Sequence, residues 1–313
     1  MQVAEDPLRW GARARRLPAD WGAGAASLGG VHSLRTLADA RRLAAALTQV
    51  RSLAVLGGGF IGLEVAATAV SLGLRVTVVE AGPRLIGRAV SPEMSGHLHE
   101  AHVRSCVDVR LGAQVEALLQ HDGRFAGLAL ADGTLAADLL LTGIGSEPET
   151  ALASACGLDC DNGIAVDAGL GTQDPCIFAI GDCAAFPHPA GVGRMRLESV
   201  HNAQAQAEVL ARRLLEEEGG VAPAYVVAPW CWSDQGDTRL QIAGLWHPGT
   251  DAVRREGSRP GSFSLFHYDH ERLQAVESVN APADHMAARR WLARGHSPPR
   301  GCVLDPALSL KAL

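Results

Sequence analysis

The chain has 313 residues, 47% of them hydrophobic and 20% charged, with a formal net charge of −6. That length allows two or three domains with cores of their own, and the composition is that of an ordinary soluble globular protein. The acidic balance, spread along the chain, excludes a general nucleic-acid or membrane surface, and no apolar run is long enough to cross a bilayer.

The opening Met1-Gln2-Val3-Ala4-Glu5-Asp6 has neither a basic nor an apolar segment of the secretory kind, so a cytoplasmic protein is expected. Residues 1–30 read as irregular. Gly22-Ala23-Gly24 has no strand before it and Ser27 at the third glycine position, which makes it a surface loop rather than a nucleotide turn. Leu37, Leu43 and Leu47 give Leu34–Leu47 helical spacing. Ser52–Leu56 is then a short apolar strand feeding Gly57-Gly58-Gly59-Phe60-Ile61-Gly62, which opens an Ala-rich helix from Val65 to Leu72. A second strand, Arg75–Val79, ends on Glu80, 23 residues after Gly57. Strand, glycine turn, helix, strand and terminal acid in this order form a Rossmann fingerprint. Gly57 permits the tight turn, Gly59 lets a pyrophosphate approach the backbone, and Gly62 lets helix and strand pack closely. The helix start offers N–H groups to phosphates, and Glu80 suits a ribose 2′-hydroxyl.

Further along, Pro92–Ala101 reads as a helix and Val107–Leu111 as a strand. Val115–Leu119 and Leu128–Leu130 flank an Asp122-Gly123 hairpin signal, and Ala136–Leu141 reads as one buried strand. Thr172–Asp182 reads as a turn, a buried strand and a Gly181-Asp182 pair at its carboxyl end, where open α/β sheets bind ligands. A long helix is expected from Ser199 to about Glu218. Beyond Pro223 the strand-like runs Leu240–Leu245, Ser262–Tyr268 and Leu273–Val279 and a helix over Asp284–Arg294 make a small α+β domain. The seven cysteines form no C-x-x-C pair, and Cys156 and Cys160 read as small residues in a connector. Lys311 is the only lysine.

The order of these pieces resembles the FAD- and NAD-dependent oxidoreductases built from nested dinucleotide domains, and among them the ferredoxin reductases that serve Rieske dioxygenases and bacterial cytochromes P450. The stretches that carry the resemblance are Gly57–Glu64, Val78–Leu85, Thr142–Pro148 and Thr172–Asp182. Leu197-Glu198-Ser199-Val200-His201-Asn202-Ala203-Gln204 and Pro229-Trp230-Cys231-Trp232-Ser233-Asp234-Gln235 narrow it to the subfamily. The resemblance implies an α/β chain of nested Rossmann-like FAD/NAD(P)-binding domains with a small C-terminal α+β domain. Its expected parts are a remnant of the FAD-binding domain over 1–50, an NAD-binding domain over 51–148, the C-terminal part of the FAD-binding domain over 149–225 and a reductase domain over 226–313.

It also implies an NADH-dependent flavoprotein that passes electrons through FAD to a ferredoxin or Rieske-type iron–sulfur protein. No side chain is expected to act as an acid–base catalyst, and no metal site is expected. Asp182, beside Gly181, would bond the flavin ribitol, the backbone at Val200 would lie against the isoalloxazine, and Trp232 near its face. A strand-end cap and a core aromatic are the plainer roles for Asp182 and Trp232. Glu64 would face the nicotinamide–flavin junction or be a solvated helix-start acid, and Arg84 and Arg88 are cofactor contacts or surface charges. Arg13 falls in Gly11–Pro18, which resembles the family's A-T-G-x-R segment with Trp10 where threonine belongs.

The family's first strand–G-x-G-x-x-G–helix and its flavin-facing lysine have no counterpart in the sequence. An N-terminally truncated chain that binds FAD poorly and retains NADH is therefore expected. A non-catalytic NAD-binding or interaction protein, and a disulfide-reductase-like enzyme, are the alternatives. Docking of an acidic ferredoxin is expected among Arg254, Arg255, Arg289 and Arg290.

Overall fold

Two short strands, β1 (Ala12–Ala14) and β2 (Val31–Ser33), open the described part of this computed structural model. It describes residues 11–21, 27–188, 193–215, 224–226, 228–305, 308–311 and 313, so the expected loop at Gly22-Ala23-Gly24 lies outside the described residues. The chain divides into two compact units: Met1–Arg13 with Ser146–Cys231, and Ala14–Gly145 with Trp232–Leu313.

In the second of these, helix α1 (Leu37–Leu47) starts later than its leucine spacing predicts, because Thr36 and Asp39 form a reciprocal capping box. Strand β3 (Ser52–Leu56) is buried at every position, as a parallel strand covered on both faces must be. Helix α2 (Phe60–Ser71), strand β4 (Arg75–Glu80), helix α3 (Pro92–Arg104) and strand β5 (Val107–Leu111) follow. An antiparallel meander comes next, β6 (Val115–His121), β7 (Arg124–Leu130) and β8 (Gly133–Ala136), with β9 (Leu139–Thr142) after it. Asp122 and Gly123 both have positive φ, 49° and 72°, as the hairpin signal requires. The parallel sheet has the order β2-β9-β3-β4-β5. Ala54 and Leu56 of β3 join a core with Phe125 and Leu128 of the meander, while Val55 faces α2.

The single strand expected over Ala136–Leu141 is two strands in different sheets. The break falls at Asp138, whose carboxylate accepts from the N–H groups of Arg51 and Ser52 and from the Ser52 hydroxyl, at 3.0, 2.9 and 2.7 Å. These bonds, the Ser52 hydroxyl first, hold its pKa below the usual carboxylate value.

The first unit contains β10 (Ser146–Pro148), which neighbours β1, then α4 (Ala151–Ala155) and a three-stranded sheet of β11 (Ile164–Ala165), β12 (Ala184–Pro187) and β13 (Arg194–Met195). Helix α5 (Val200–Leu215) closes a core with Val166, Leu170, Ala179, Phe186 and Val209. The buried strand expected before Gly181 is absent; one isolated bridge joins Gly171 and Phe178. Local side chains take the backbone groups that a ladder would need. Thr172 Oγ1 donates to the carbonyls of Asp174 and Ile177 and accepts from Asp174 N, and Asp174 Oδ1 accepts from Cys176 N.

The C-terminal sheet belongs to the same unit as the parallel sheet. Its strands are β14 (Trp230–Gln235), β15 (Thr238–Gly244), β16 (Asp251–Glu256), β17 (Phe263–Asp269) and β18 (Arg272–Val279), in the order β14-β15-β18-β17-β16. Helix α6 (Pro282–Ala293) packs on β15 and β18, ahead of the short α7 (Arg300–Leu304). From β18 the fully buried Glu277 accepts from Ser91 N at 2.7 Å and from Ser91 Oγ at 2.6 Å, and His267 Nε2 donates to it at 2.8 Å. Ser91 is the N-cap of α3, so a carboxylate of the antiparallel sheet completes a helix start beside the parallel one. No helix among the described residues is long and apolar enough to cross a membrane.

Candidate dinucleotide-binding site

The turn after β3 is closed by its neighbours on both sides. Gly57 N donates to Val79 O at 2.8 Å, Gly143 N to Leu56 O at 2.7 Å and Ile86 N to Gly58 O at 2.9 Å. Gly57 has φ +103°, and a Cβ there would lie 2.4 Å from Gly143 O; one at Gly62 would lie 2.3 Å from Gly57 O. Only glycine satisfies both positions. Gly59 differs: it is the N-cap of α2 with φ −85°, and a Cβ there would meet nothing within 4 Å. The helix start therefore opens onto free space where its N–H groups and partial positive charge can receive an anion.

Glu80 ends β4 half-buried beside this opening. Its Oε2 accepts from Gly58 N at 2.7 Å and its Oε1 from Gly82 N at 2.6 Å, so it ties the glycine turn to the loop after β4. Each oxygen keeps a lone pair for a further donor. Arg84 donates to the carbonyls of Val90 and Gly87 and lies over the Trp246 ring at 5.3 Å, so it shapes this loop from within. Arg88 is exposed, near Gly145.

Glu64 lies in the second turn of α2, part-buried. Its Oε1 accepts from Ser233 Oγ at 2.6 Å, next to Trp232, a residue that is 42% exposed. Sequence reasoning passed over Ser233 as a contact, and nothing local signals a partner 169 positions away.

The remaining candidates belong to the other unit. Gly181-Asp182-Cys183 forms a 3-10 turn, with Gly181 at φ +75°. Gly181 N donates to the buried Gln206 Oε1 at 2.7 Å, and Arg196 Nη1 donates to Asp182 O at 2.9 Å. Gln206 Nε2 is buried with no hydrogen-bond partner among the described residues. Val200 begins α5 and is 57% exposed, while Ala203, one turn on, lies against Gly181. Arg13 is ion-paired with Glu147 at 3.2 Å and Glu149 at 3.6 Å. Gln206 and Arg196, which hold the turn through backbone atoms, left no pattern in the sequence.

Arg255 drops out of the expected docking set. It is only 10% exposed and donates to the carbonyls of Val303, Asp305 and Leu308, which fix the C-terminal segment. Arg254 is ion-paired with Glu93 and Glu256.

A glycine turn opening a helix on a parallel sheet, with an acid closing the next strand, defines a dinucleotide-binding oxidoreductase fold, and the chain belongs to the pyridine nucleotide-disulphide oxidoreductase family, which it matches over residues 10–207. Residues 230–313 match the reductase C-terminal family. The chain is 47% identical to rhodocoxin reductase of Rhodococcus erythropolis over 287 residues, which cover 91% of this chain and 65% of that one. It is 41% identical over 281 residues to the ferredoxin–NAD(+) reductase component of the anthranilate 1,2-dioxygenase system of Burkholderia cepacia, covering 90% and 68%. Among solved structures, a ferredoxin reductase from Rhodopseudomonas palustris superposes with a TM-score of 0.89 at 41% identity, over 96% of this chain and 73% of that one. The chain thus spans about two thirds of the length of the curated relatives it matches.

Proposed function

We propose that the protein is an NADH-dependent flavoprotein oxidoreductase that passes electrons from NADH, through FAD, to a ferredoxin-type iron–sulfur protein. The observation that carries the nucleotide part is the open backbone at Gly59 beside a carboxylate already fixed by Gly58 and Gly82. In this reading Gly57 and Gly62 shape the turn, Gly59 admits the pyrophosphate to the start of α2, and Glu80 accepts the ribose hydroxyls. The same carboxylate repels a 2′-phosphate, which sets a preference for NADH over NADPH. Glu64 faces the nicotinamide, and Arg88 is the exposed cation on the adenosine side.

The Gly181–Cys183 turn fits the ribitol side of a flavin: Asp182 is half-buried on a propped turn, with the orphaned amide of Gln206 behind it. Val200, exposed at the start of α5, would border the ring. The adenosine side has no second glycine-rich strand–turn–helix among the described residues to receive it. When bound, FAD supplies the conversion of a two-electron hydride donor into single electrons; the side chains named here bind, orient and exclude water. The acceptor class is supported by the ferredoxin–NAD(+) reductase among the relatives. A cytoplasmic setting is supported by seven unpaired cysteines.

The test is a purified chain assayed three ways: flavin absorbance and stoichiometry, NADH and NADPH titrations, and NADH-dependent reduction of a [2Fe–2S] ferredoxin. Protein that binds NADH, holds flavin weakly or substoichiometrically and reduces ferredoxin only when FAD is added is the expected result. Colourless protein that binds NADH, and stays inactive after FAD is added, would make it a non-catalytic NAD-binding protein instead. NADPH as the tighter ligand would overturn the role given to Glu80.

A further inference from the structure

Behind Glu64 runs a line of buried polar side chains that ligand recognition leaves unexplained. Ser233 and Gln235 alternate on β14 and are 0% and 5% exposed, and His102 in the last turn of α3 is 4% exposed. Ser233 Oγ donates to Glu64 Oε1 at 2.6 Å, Gln235 Nε2 to Ser233 Oγ at 3.0 Å, and His102 Nε2 lies 2.9 Å from Gln235 Oε1. Because the Gln235 amide nitrogen faces Ser233, its oxygen faces His102, and His102 Nε2 must carry the proton. Burial lowers the His102 pKa, which keeps the ring neutral with its one proton on that nitrogen. Every link then donates in the same direction, and the line ends on the carboxylate of Glu64. Glu64 Oε2 has no hydrogen-bond partner among the described residues.

Buried polar groups arranged so that each has one assignment of donor and acceptor are costly to rearrange, and such a chain polarises its last member. Here the last member is the one carboxylate that stands half in solvent on the nucleotide helix. A glutamate in that place has free rotamers unless something fixes it. The Ser233 hydroxyl fixes one oxygen and leaves the other as an acceptor of set direction.

We propose that His102, Gln235 and Ser233 are a positioning relay that aims Glu64 Oε2 at an amide N–H of the nicotinamide carboxamide, so that recognition of the nicotinamide end is set separately from recognition of the ADP-ribose end. The proposal rests on the reading of Gly57–Glu80 as an NADH site. The side-chain hydrogen bonds of Ser233 and Gln235 go to other side chains, so their effect on the ligand passes through Glu64.

The experiment compares NADH with ADP-ribose, which keeps the ribose and pyrophosphate contacts and lacks the nicotinamide, by calorimetric titration of the full chain and its variants. Ser233→Ala is expected to weaken NADH about fivefold and to leave ADP-ribose within about twofold of the wild type. Gln235→Met, close in volume, should act in the same sense and less strongly. In a Glu64→Ala background, Ser233→Ala should add less than about a further twofold, because the two residues act as one unit. Equal loss of NADH and ADP-ribose affinity in Ser233→Ala would show a role in the fold and overturn the relay, as would unchanged NADH affinity or full additivity with Glu64→Ala. Wild-type protein that fails to bind ADP-ribose would instead overturn the nucleotide reading itself, and the relay with it.

Discussion

The chain makes two tight turns beside strands, Gly57–Gly62 after β3 and Gly181–Cys183 before β12, and it holds them by opposite means. At Gly57–Gly62 the backbone is packed against backbone: Gly143 O and Gly57 O stand where side chains would be, and hydrogen bonds to Val79 and Glu80 close the turn. At Gly181–Cys183 a Cβ on Gly181 would make only an ordinary 3.6 Å contact with Ala203, and side chains reach in from elsewhere, Gln206 to Gly181 N and Arg196 to the carbonyls of Asp182 and Asn162. The first turn is fixed by what is missing, a Cβ, and fails when an atom is added. The second is fixed by what is present and fails when atoms are removed. A glycine pattern is visible in a sequence, and a set of distant props is not.

The largest expected effect comes from adding one carbon to the first turn. Gly57→Ala combines strain at φ +103° with a contact to Gly143 O, about 1–3 kcal/mol from each. Urea unfolding should show a loss of about 3–5 kcal/mol, and a loss below 1 kcal/mol would mean that the turn relaxes easily. Subtraction at the second turn comes next. Arg196→Ala removes a 9%-exposed guanidinium with its two carbonyl bonds and its pair to Glu198, and should destabilise the Ser146–Cys231 region by about 2–3 kcal/mol. Hydrogen exchange localised to that region is the measurement, and exchange accelerated equally throughout the chain would contradict the separate support of the two turns.

Gly59→Ala separates folding from binding within the first turn. With φ −85° and nothing within 4 Å, the added methyl group should leave stability within about 0.5 kcal/mol. It should nevertheless weaken NADH about tenfold, or about 1.4 kcal/mol, by occupying the approach to the helix start. Unaltered NADH titrations would remove the pyrophosphate from this position.

The smallest effect concerns the entry to the first turn. Asp138→Ala frees the start of β3 and should cost about 1 kcal/mol at neutral pH. Because folding lowers the pKa of Asp138, its contribution is complete above the ordinary carboxylate pKa and disappears as pH falls through the depressed value. Wild type and variant should therefore converge in stability in strong acid, which chemical denaturation at pH 7 and pH 3 would follow.

What was legible in the sequence follows the same division. Ser52–Glu80, Val107–Leu111 and the Asp122-Gly123 hairpin could be read because their determinants lie within a few residues of one another. The strand expected before Gly181 was misread. Its apolar residues, Cys176 to Ile180, carry the pattern of a buried strand, but Thr172 and Asp174 bind the backbone locally and Ile177 stays 36% exposed. Ala136–Leu141 was misread as one strand because the break depends on Asp138 reaching Arg51 and Ser52, 86 and more positions away. The Ser233–Gln235–His102 line and the engagement of Arg255 likewise depend on contacts between remote segments. No periodicity or motif reports them.

The Glu277–Ser91 contact sets an order of events during synthesis. Ser91 is translated 186 residues before its carboxylate partner. At about 5–20 residues per second, that interval is about 10–40 s. Once residue 142 is made, all five parallel strands have been translated, and for the remaining 135 residues the Ser91 N–H and hydroxyl at the start of α3 lack their carboxylate acceptor. The last strand of the C-terminal sheet is thus a late-arriving clasp. A ribosome that stalls before codon 277 leaves an emerging chain whose nucleotide region is built but not locked.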